Sequence, residues 1–224
     1  MTTRGPRVVL LGRQGAGKGT QSSRLAEEFG VEHLSTGDLF RAAAAEGTVA
    51  GRSAKAFMDR GELVPDDLVL EVVEERFRRN GLVTRGFVLD GFPRTRPQAV
   101  ALGELLARHP LDVVIDLAVS IELVLHRIAG RRVCVNCGTL YHVDQPPAQD
   151  WSCDRCGGHV LQRDDDTEAA VLRRLELYEE QTAPLIDFYR DAGTLTRVDG
   201  EGDAEEVFGR LADALRSRFD PKRP

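Results

Sequence analysis

The stretch Gly12-Arg13-Gln14-Gly15-Ala16-Gly17-Lys18-Gly19-Thr20 decides how the rest of the chain reads. An apolar run, Val8-Val9-Leu10-Leu11, precedes it. A segment with helical spacing follows, in which Leu25, Ala26 and Phe29 can share a face. The order is strand, glycine-rich loop, helix, which is the context in which such a loop holds phosphate. Glycines let successive backbone N–H groups point into one concavity, because no Cβ blocks the turn. The helix adds the partial positive charge of its N-terminus, and Lys18 adds a mobile point charge. One departure stands out. Gly19 follows Lys18, where the general phosphate-loop pattern has Ser or Thr. A hydroxyl for Mg²⁺ must then come from Thr20 or elsewhere, or the ion is held mostly through water.

Outward from the loop, strand and helix patterns alternate. A short strand is expected at 31–34, then a helix start at Ser35-Thr36-Gly37-Asp38 with capping groups. Two short helices follow at 38–46 and 52–60, ended by Gly47 and Gly61. Pro65 opens a helix through about Arg79, closed by Asn80-Gly81. Strands are expected at 85–91, 112–119 and 194–198, and helices at 97–108, 120–129 and 204–218. Helical periodicity over 167–190 should break at Pro184. The tail, Asp220 to Pro224, is expected to fray. This alternation predicts an α/β fold, a three-layer α/β/α arrangement on a five-stranded parallel sheet. Asp90 falls at the C-terminal end of a strand, where ligands of such sheets bind. The core would comprise residues 1–34, 65–130 and 167–224, with insertions at 35–64 and 131–166.

The chain has 224 residues, a formal net charge of −6 and 42% apolar residues. The acidic balance argues against a dedicated nucleic-acid binder. The apolar run after Arg7 is too short for a signal peptide, and no stretch is long enough to span a bilayer. A cytoplasmic monomer with no membrane partner is expected. Three lysines stand against twenty-seven arginines, so the lysine in the loop is not there because lysine is common.

Residues 131–166 hold all four cysteines, as Cys134-x-x-Cys137 and Cys153-x-x-Cys156. Each pair can place two thiolates on one turn, and two turns complete a tetrahedral Zn²⁺ site with no open position. Two disulfides or free thiols are the alternative, and a cytosolic setting disfavours the disulfides. His142 and His159 lie nearby and read as ordinary polar residues. Arginines flank the insertions: Arg41, Arg94, Arg127, Arg131, Arg163 and Arg174. Guanidinium forks suit phosphate oxygens. Asp164-Asp165-Asp166 reads by default as a solvated acidic run at a helix start, and otherwise as a latch for these arginines. No nucleophile–base pair stands out. Phosphoryl transfer needs none; it needs in-line positioning, Mg²⁺ and cationic clamps, with water excluded.

Taken together these pieces resemble the adenylate kinases, in the long-lid form whose lid carries a four-cysteine zinc site. The matching segments are Gly12 to Thr20, Ser35-Thr36-Gly37-Asp38, Asp90-Gly91-Phe92-Pro93-Arg94-Thr95, Pro97-Gln98-Ala99, Gly130-Arg131-Arg132-Val133, Leu140-Tyr141-His142, and Arg163 with Asp165-Asp166. They occur in the family's order and cover essentially the whole chain, and Gly19 after Lys18 is itself what the family shows. The resemblance implies a helical segment at 35–64 that binds the nucleoside monophosphate and a zinc-stapled lid at 131–166. It implies that Gly15, Ala16, Gly17, Lys18, Gly19 and Thr20 hold the ATP phosphates. Arg127 and Arg131 would bind ATP from the lid side, with Leu140, Tyr141 and Gly202 near its base. Thr36, Arg41, Glu62, Leu63, Val64, Gly91, Phe92, Pro93, Arg94 and Gln98 would bind AMP. Arg163 and Arg174 would clamp the phosphates between the two nucleotides. Lys18, Arg94, Arg131, Arg163 and Arg174 would carry the catalysis, and Asp90 would help hold the water shell of Mg²⁺. The implied partners are ATP, AMP and ADP, with Mg²⁺ and structural Zn²⁺. A kinase for another nucleoside monophosphate is the nearest rival; a phosphate-loop ATPase and a zinc-ribbon nucleic-acid module are more distant.

Overall fold

The computed structural model describes residues 4–78 and 81–219. The expected helix end at Arg79 and Asn80, and the tail from Asp220, lie outside the described residues. The chain runs through β1 (Arg7–Leu11), α1 (Lys18–Phe29), β2 (Glu32–Ser35), α2 (Thr36–Ala45), α3 (Val49–Asp59), α4 (Asp66–Arg78), α5 (Leu82–Arg85), β3 (Phe87–Asp90), α6 (Arg96–Leu105), β4 (Val113–Ala118) and α7 (Ile121–Ala129). Three short strands follow: β5 (Arg131–Cys134), β6 (Leu140–His142) and β7 (Val160–Leu161). Then come α8 (Glu168–Leu177), α9 (Pro184–Asp191), β8 (Leu195–Asp199) and α10 (Ala204–Arg218).

Five strands form one sheet in the order β2-β3-β1-β4-β8, all parallel. Every residue of β1 is buried, and its alternation serves two cores. Val9 and Leu11 face one layer with Leu34, Leu89, Phe77, Leu102 and Leu185. Val8 and Leu10 face the other, with Leu25, Ile115, Ile128, Leu211 and Leu215. A strand buried on both faces needs helices above and below it; α4, α6 and α9 cover one face, α1, α7 and α10 the other. The three-layer fold and the five-stranded parallel sheet are as the alternation predicts.

Chain order places the chemistry. The chain leaves β1 toward β2 and β3 on one side and returns to β4 on the other, so the order reverses at β1. The C-terminal edge beside such a reversal is where parallel sheets bind ligands. Leu11, Ser35, Asp90, Ala118 and Asp199 all end strands on that edge. The three strands between residues 131 and 161 form a separate antiparallel sheet, β6-β5-β7. The helical run expected over 167–190 is interrupted before Pro184 by a wider π-type turn, Tyr178–Thr182. Its carbonyls bond one residue further along the chain, and Ala183 donates to Tyr178 O at 2.7 Å. The break therefore begins ahead of the proline that signalled it.

Candidate functional site

The glycine-rich loop closes on itself between β1 and α1. Gly17 caps α1 with φ 99°, a conformation open to glycine at no cost. A Cβ at Gly15 would lie 2.7 Å from the Ile128 side chain, so the loop can press against α7 only without one. Lys18 opens α1 and folds back, Nζ donating to Gly12 O at 2.7 Å and Arg13 O at 2.8 Å. Those carbonyls hold the ammonium over the loop. Burial pushes the Lys18 pKa down to about 8; Asp90 pulls it up, while Arg94 and Arg131 push it further down. A polyanion in the loop would reverse that shift. Thr20 is exposed. A Cβ at Gly19 would sit 3.6 Å from Asp90 Oδ2, so the carboxylate at the end of β3 overlies the start of α1.

The strand end that carries Asp90 also builds a second group. Thr36 donates to Gly91 O at 2.8 Å, and Arg94 Nε donates to the same oxygen at 2.7 Å. Gln98 is buried; its Oε1 accepts from Arg94 N at 2.8 Å and its Nε2 donates to Asp66 Oδ1 at 2.6 Å. The other oxygen of Asp66 accepts from Thr95 Oγ1 at 2.8 Å, and Thr95 caps α6. Asp66 is a member of this group that the sequence did not single out. Glu62, Leu63 and Val64 line a cavity of about 380 Å³ with Asp66 and Thr95. Glu62 is paired at its rim with Arg60 at 2.7 Å. Phe92 and Pro93 are buried, Phe92 in the core under β1 and β3, so Phe92 can offer a ligand only its backbone.

The arginines that close the set meet at Asp165 and Asp166. Arg131 donates Nε to Asp166 Oδ2 at 2.7 Å and Nη2 to Oδ1 at 2.5 Å. Arg174 donates to Asp165 Oδ2 at 2.8 Å and to Met58 O at 2.7 Å, which links α8 to α3. Arg41 lies 4.0 Å from Asp165 and 2.5 Å from Asp38. Only Asp164 is exposed. The default reading of 164–166 as a solvated run is therefore corrected: Asp165 and Asp166 are buried because guanidinium groups surround them. Burial pushes the Asp165 carboxyl up, but Arg174, Arg41 and Arg163 outweigh it and hold it below the usual range. Arg163, between Arg41 and Arg131, is driven down to about 10 by burial and then by those two neighbours. Arg94 is also held down by burial, with Arg174 and Arg41 adding to it against Asp90. Loop, strand end and the base of the small antiparallel sheet thus converge. Lys18, Arg41, Arg94, Arg131, Arg163 and Arg174 face Asp38, Asp90, Asp165 and Asp166, leaving a surplus of positive charge.

The other expected residues are placed as follows. Arg127 donates to Ala16 O at 3.1 Å and Gly200 O at 3.3 Å, which ties α7 to both the loop and the turn after β8. Gly202 lies in that turn with φ 109°. Leu140 is exposed on β6, but Tyr141 turns away from it. The Tyr141 hydroxyl donates to Cys153 Sγ at 3.4 Å and accepts from Asp154 N at 2.8 Å. The Tyr141 side chain therefore belongs to the cysteine cluster, and Leu140 alone of this pair presents an apolar surface. A larger cavity of about 740 Å³, between Arg13, Asp116, Tyr178 and Arg197, is lined by none of the loop glycines or the arginines above.

The four cysteines form no disulfide, and their sulfurs lie within 4.8 Å of one another. Cys134 and Cys156 are 3.5 Å apart, and Cys137 and Cys153 3.6 Å. Four thiolates around zinc at ~2.3 Å would be ~3.8 Å apart, so the set fits the ion. The Tyr141 hydroxyl favours the thiolate of Cys153 and brings its pKa down to about 6. Among the described residues, no helix is long and apolar enough to cross a membrane.

A scan against protein-family models matches residues 10–194 to the family described as Adenylate kinase. Among curated proteins, the chain is similar to the adenylate kinase of Thermodesulfovibrio yellowstonii, 48% identical over 215 residues, or 95% of this chain and 100% of the relative. The adenylate kinase of Bacillus subtilis is 47% identical over 211 residues, 93% of this chain and 97% of the relative. That of Archaeoglobus fulgidus is 48% identical over 211 residues, with the same coverage.

Proposed function

The chain belongs to the adenylate kinase family, and from that premise we propose how its own residues divide the transfer of the terminal phosphoryl group from MgATP to AMP. The reaction is reversible and gives two ADP. The observation that carries the assignment is that Asp90, Arg94 and Arg131 all act electrostatically on the buried Lys18 ammonium. These groups come from the loop, the strand end and the base of the second sheet. Two nucleotides meeting there would place the transferred group among them.

The backbone from Gly15 to Thr20 and Lys18 would hold the ATP phosphates, with Arg127 and Arg131 from the side of α7 and β5. Leu140, the Tyr141 main chain and Gly202 would border the base. Thr36, Arg41, the Glu62–Val64 segment, Gly91 to Arg94 and Gln98 would take AMP. Gln98 keeps one donor and one acceptor beyond those it spends on Asp66 and Arg94, enough to pair with an adenine edge. Arg163 and Arg174, now occupied with or beside the two aspartates, would turn to the phosphates. Lys18 can follow the moving phosphoryl group, so it counts most in the transition state. Asp90 would orient water around Mg²⁺, which supplies charge neutralisation on the ATP oxygens when bound. Zn²⁺ on Cys134, Cys137, Cys153 and Cys156 would be structural, since four thiolates leave no open position.

This division supports residues 1–34, 65–130 and 167–224 as the core, 35–64 as the AMP segment and 131–166 as the lid. The test is nucleoside diphosphate formation from MgATP with each monophosphate in turn. AMP should be used far better than the others. Equal or better use of a different base would transfer the assignment to that monophosphate.

A further inference from the structure

The junction between α7 and β5 carries a group of side chains that the phosphate chemistry does not use. His126 stands in the last turn of α7; His142 closes β6, and Asp144 follows it. Their ligand atoms lie within 4.8 Å of one another. Asp144 Oδ2 is 3.0 Å from His126 Nε2 and 3.2 Å from His142 Nδ1. Around a tetrahedral ion with bonds of ~2.0 Å, neighbouring ligands stand ~3.3 Å apart. The two ring centroids are 5.2 Å apart and the planes are tilted by 48°, so the rings are not stacked face to face.

His142 is held in place independently of Asp144. Its ring fills the space beside Gly130 so closely that a Cβ there would lie 2.0 Å from Nε2. Nε2 is also 3.3 Å from the His126 carbonyl. With the Nε2 proton given to that oxygen, the lone pair of Nδ1 points toward Asp144. A histidine that donates one N–H to a backbone carbonyl and offers its other nitrogen has the orientation metal-bound histidines adopt. Asp144 N–H reaches the same Nδ1 at 3.2 Å, a long contact that an ion would displace.

We propose that His126, His142 and Asp144 form a second metal site, for a divalent transition ion of borderline softness such as Co²⁺, Ni²⁺ or Zn²⁺. Two imidazoles and one carboxylate suit such ions, whereas Mg²⁺ prefers oxygen ligands and keeps its water. Three protein ligands leave positions for water, unlike the closed set of four thiolates. Because the ligands come from α7 and from β6, a bound ion ties the base of the small sheet to the helix that carries Arg127.

The test uses the full-length protein with its cysteines already loaded with zinc. Co²⁺ is titrated in and followed by absorption and calorimetry. One further equivalent should bind, with d–d bands and without the thiolate charge-transfer bands of cysteine ligation. His126→Gln and Asp144→Asn should each weaken that binding tenfold or more while leaving the zinc content unchanged. Both side chains are 61% exposed, so neither change should disturb folding. Ni²⁺ should raise the melting temperature of the wild type and of neither variant. Absence of a further equivalent, thiolate bands on the bound Co²⁺, or binding that both variants retain undiminished would overturn the site.

Discussion

Asp166 grips Arg131 with both carboxylate oxygens, and its own side chain is fully shielded from solvent. The same carboxylate lies 3.7 Å from Arg174 and accepts from Gln14 at 3.1 Å. One buried acid therefore joins the loop, β5 and α8. Removing one partner of a buried pair strands the other charge, at a typical cost of about 3 kcal/mol. Asp166→Ala should lower the urea midpoint accordingly. It should also cut kcat, because Arg131 and Arg174 lose the group that aligns them. An unchanged midpoint would show the pair to be dispensable for stability.

The depressed pKa of Lys18 makes two pH effects readable. Burial brings it to about 8 from 10.5 in the nucleotide-free protein. Between those values the unfolded chain binds more protons than the folded one, so this group's contribution to stability rises with pH across that window. The penalty is full below pH 8 and gone above 10.5. Nucleotide binding runs the other way: phosphates favour the charged form, so above pH 8 binding takes up a proton and affinity falls. Calorimetry in buffers of different ionisation enthalpy measures that uptake. Lys18→Met should abolish it, lower kcat by ~10²–10³ and leave the fold intact. Unaltered proton uptake in the variant would assign it to another group.

Gln98 and Asp66 are 32 residues apart in sequence and share a 2.6 Å hydrogen bond. Asp66→Ala would free the amide to rotate and take away the partner of the Thr95 cap. The KM for AMP should rise about tenfold with little change in the KM for ATP. Stability should fall by ~1 kcal/mol, the usual worth of a cap or one hydrogen bond. An equal loss for both nucleotides would separate Asp66 from the AMP side. Arg94→Ala should show the same asymmetry more strongly, because its guanidinium stands among the charges of Asp90, Arg174 and Arg41 where the phosphates would meet.

These cases also mark what could be read from the chain alone. Strands β1, β3 and β4 were legible because each carries a short apolar run bounded by glycine or polar residues, β2 and β8 from their place in the alternation with helices, and the loop because its glycines and lysine sit between strand and helix. Boundaries moved where caps decided them: α3 starts at Val49, earlier than its apolar pattern, because Thr48 accepts from Gly51 N at 3.0 Å. The single turn α5 is too short to show a period. Pairing over long separations was hidden. Arg7, inside β1, is buried with its amide on Asp112 at 2.9 Å and its Nε on Val83 O at 2.8 Å, whereas an arginine in sequence reads as surface. Asp165 and Asp166 misled in the same way, since an acidic run gives no sign of the guanidinium groups folded onto it. Asp66 follows the proline that opens a helix and was not singled out, because its role depends on Thr95 and Gln98 arriving from another element.

The cysteine cluster supplies the last prediction. Its sheet has three short strands, and its buried apolar set is only Cys134, Cys153 and Val160, with Tyr141 packed against it. So small a core cannot hold a segment of this length by burial alone. Val135, Val143, Trp151 and Leu161 are largely exposed around it and add little. A site completed only on folding contributes its metal-binding energy to folding, so zinc would replace the missing core. Lys18 and the arginines that would carry the chemistry make no bond to the cysteines. Removing zinc should therefore lower the melting temperature and expose the segment to proteolysis between residues 131 and 166, while appreciable kinase activity survives at low temperature. Cys153→Ser should reproduce the effect without a chelator, which separates it from any ion at His126 and His142. Metal analysis of the purified protein should give one zinc held by thiolates. Four free thiols with no metal would refute the tetrad. Complete inactivity in a folded, zinc-free protein would refute its purely structural role.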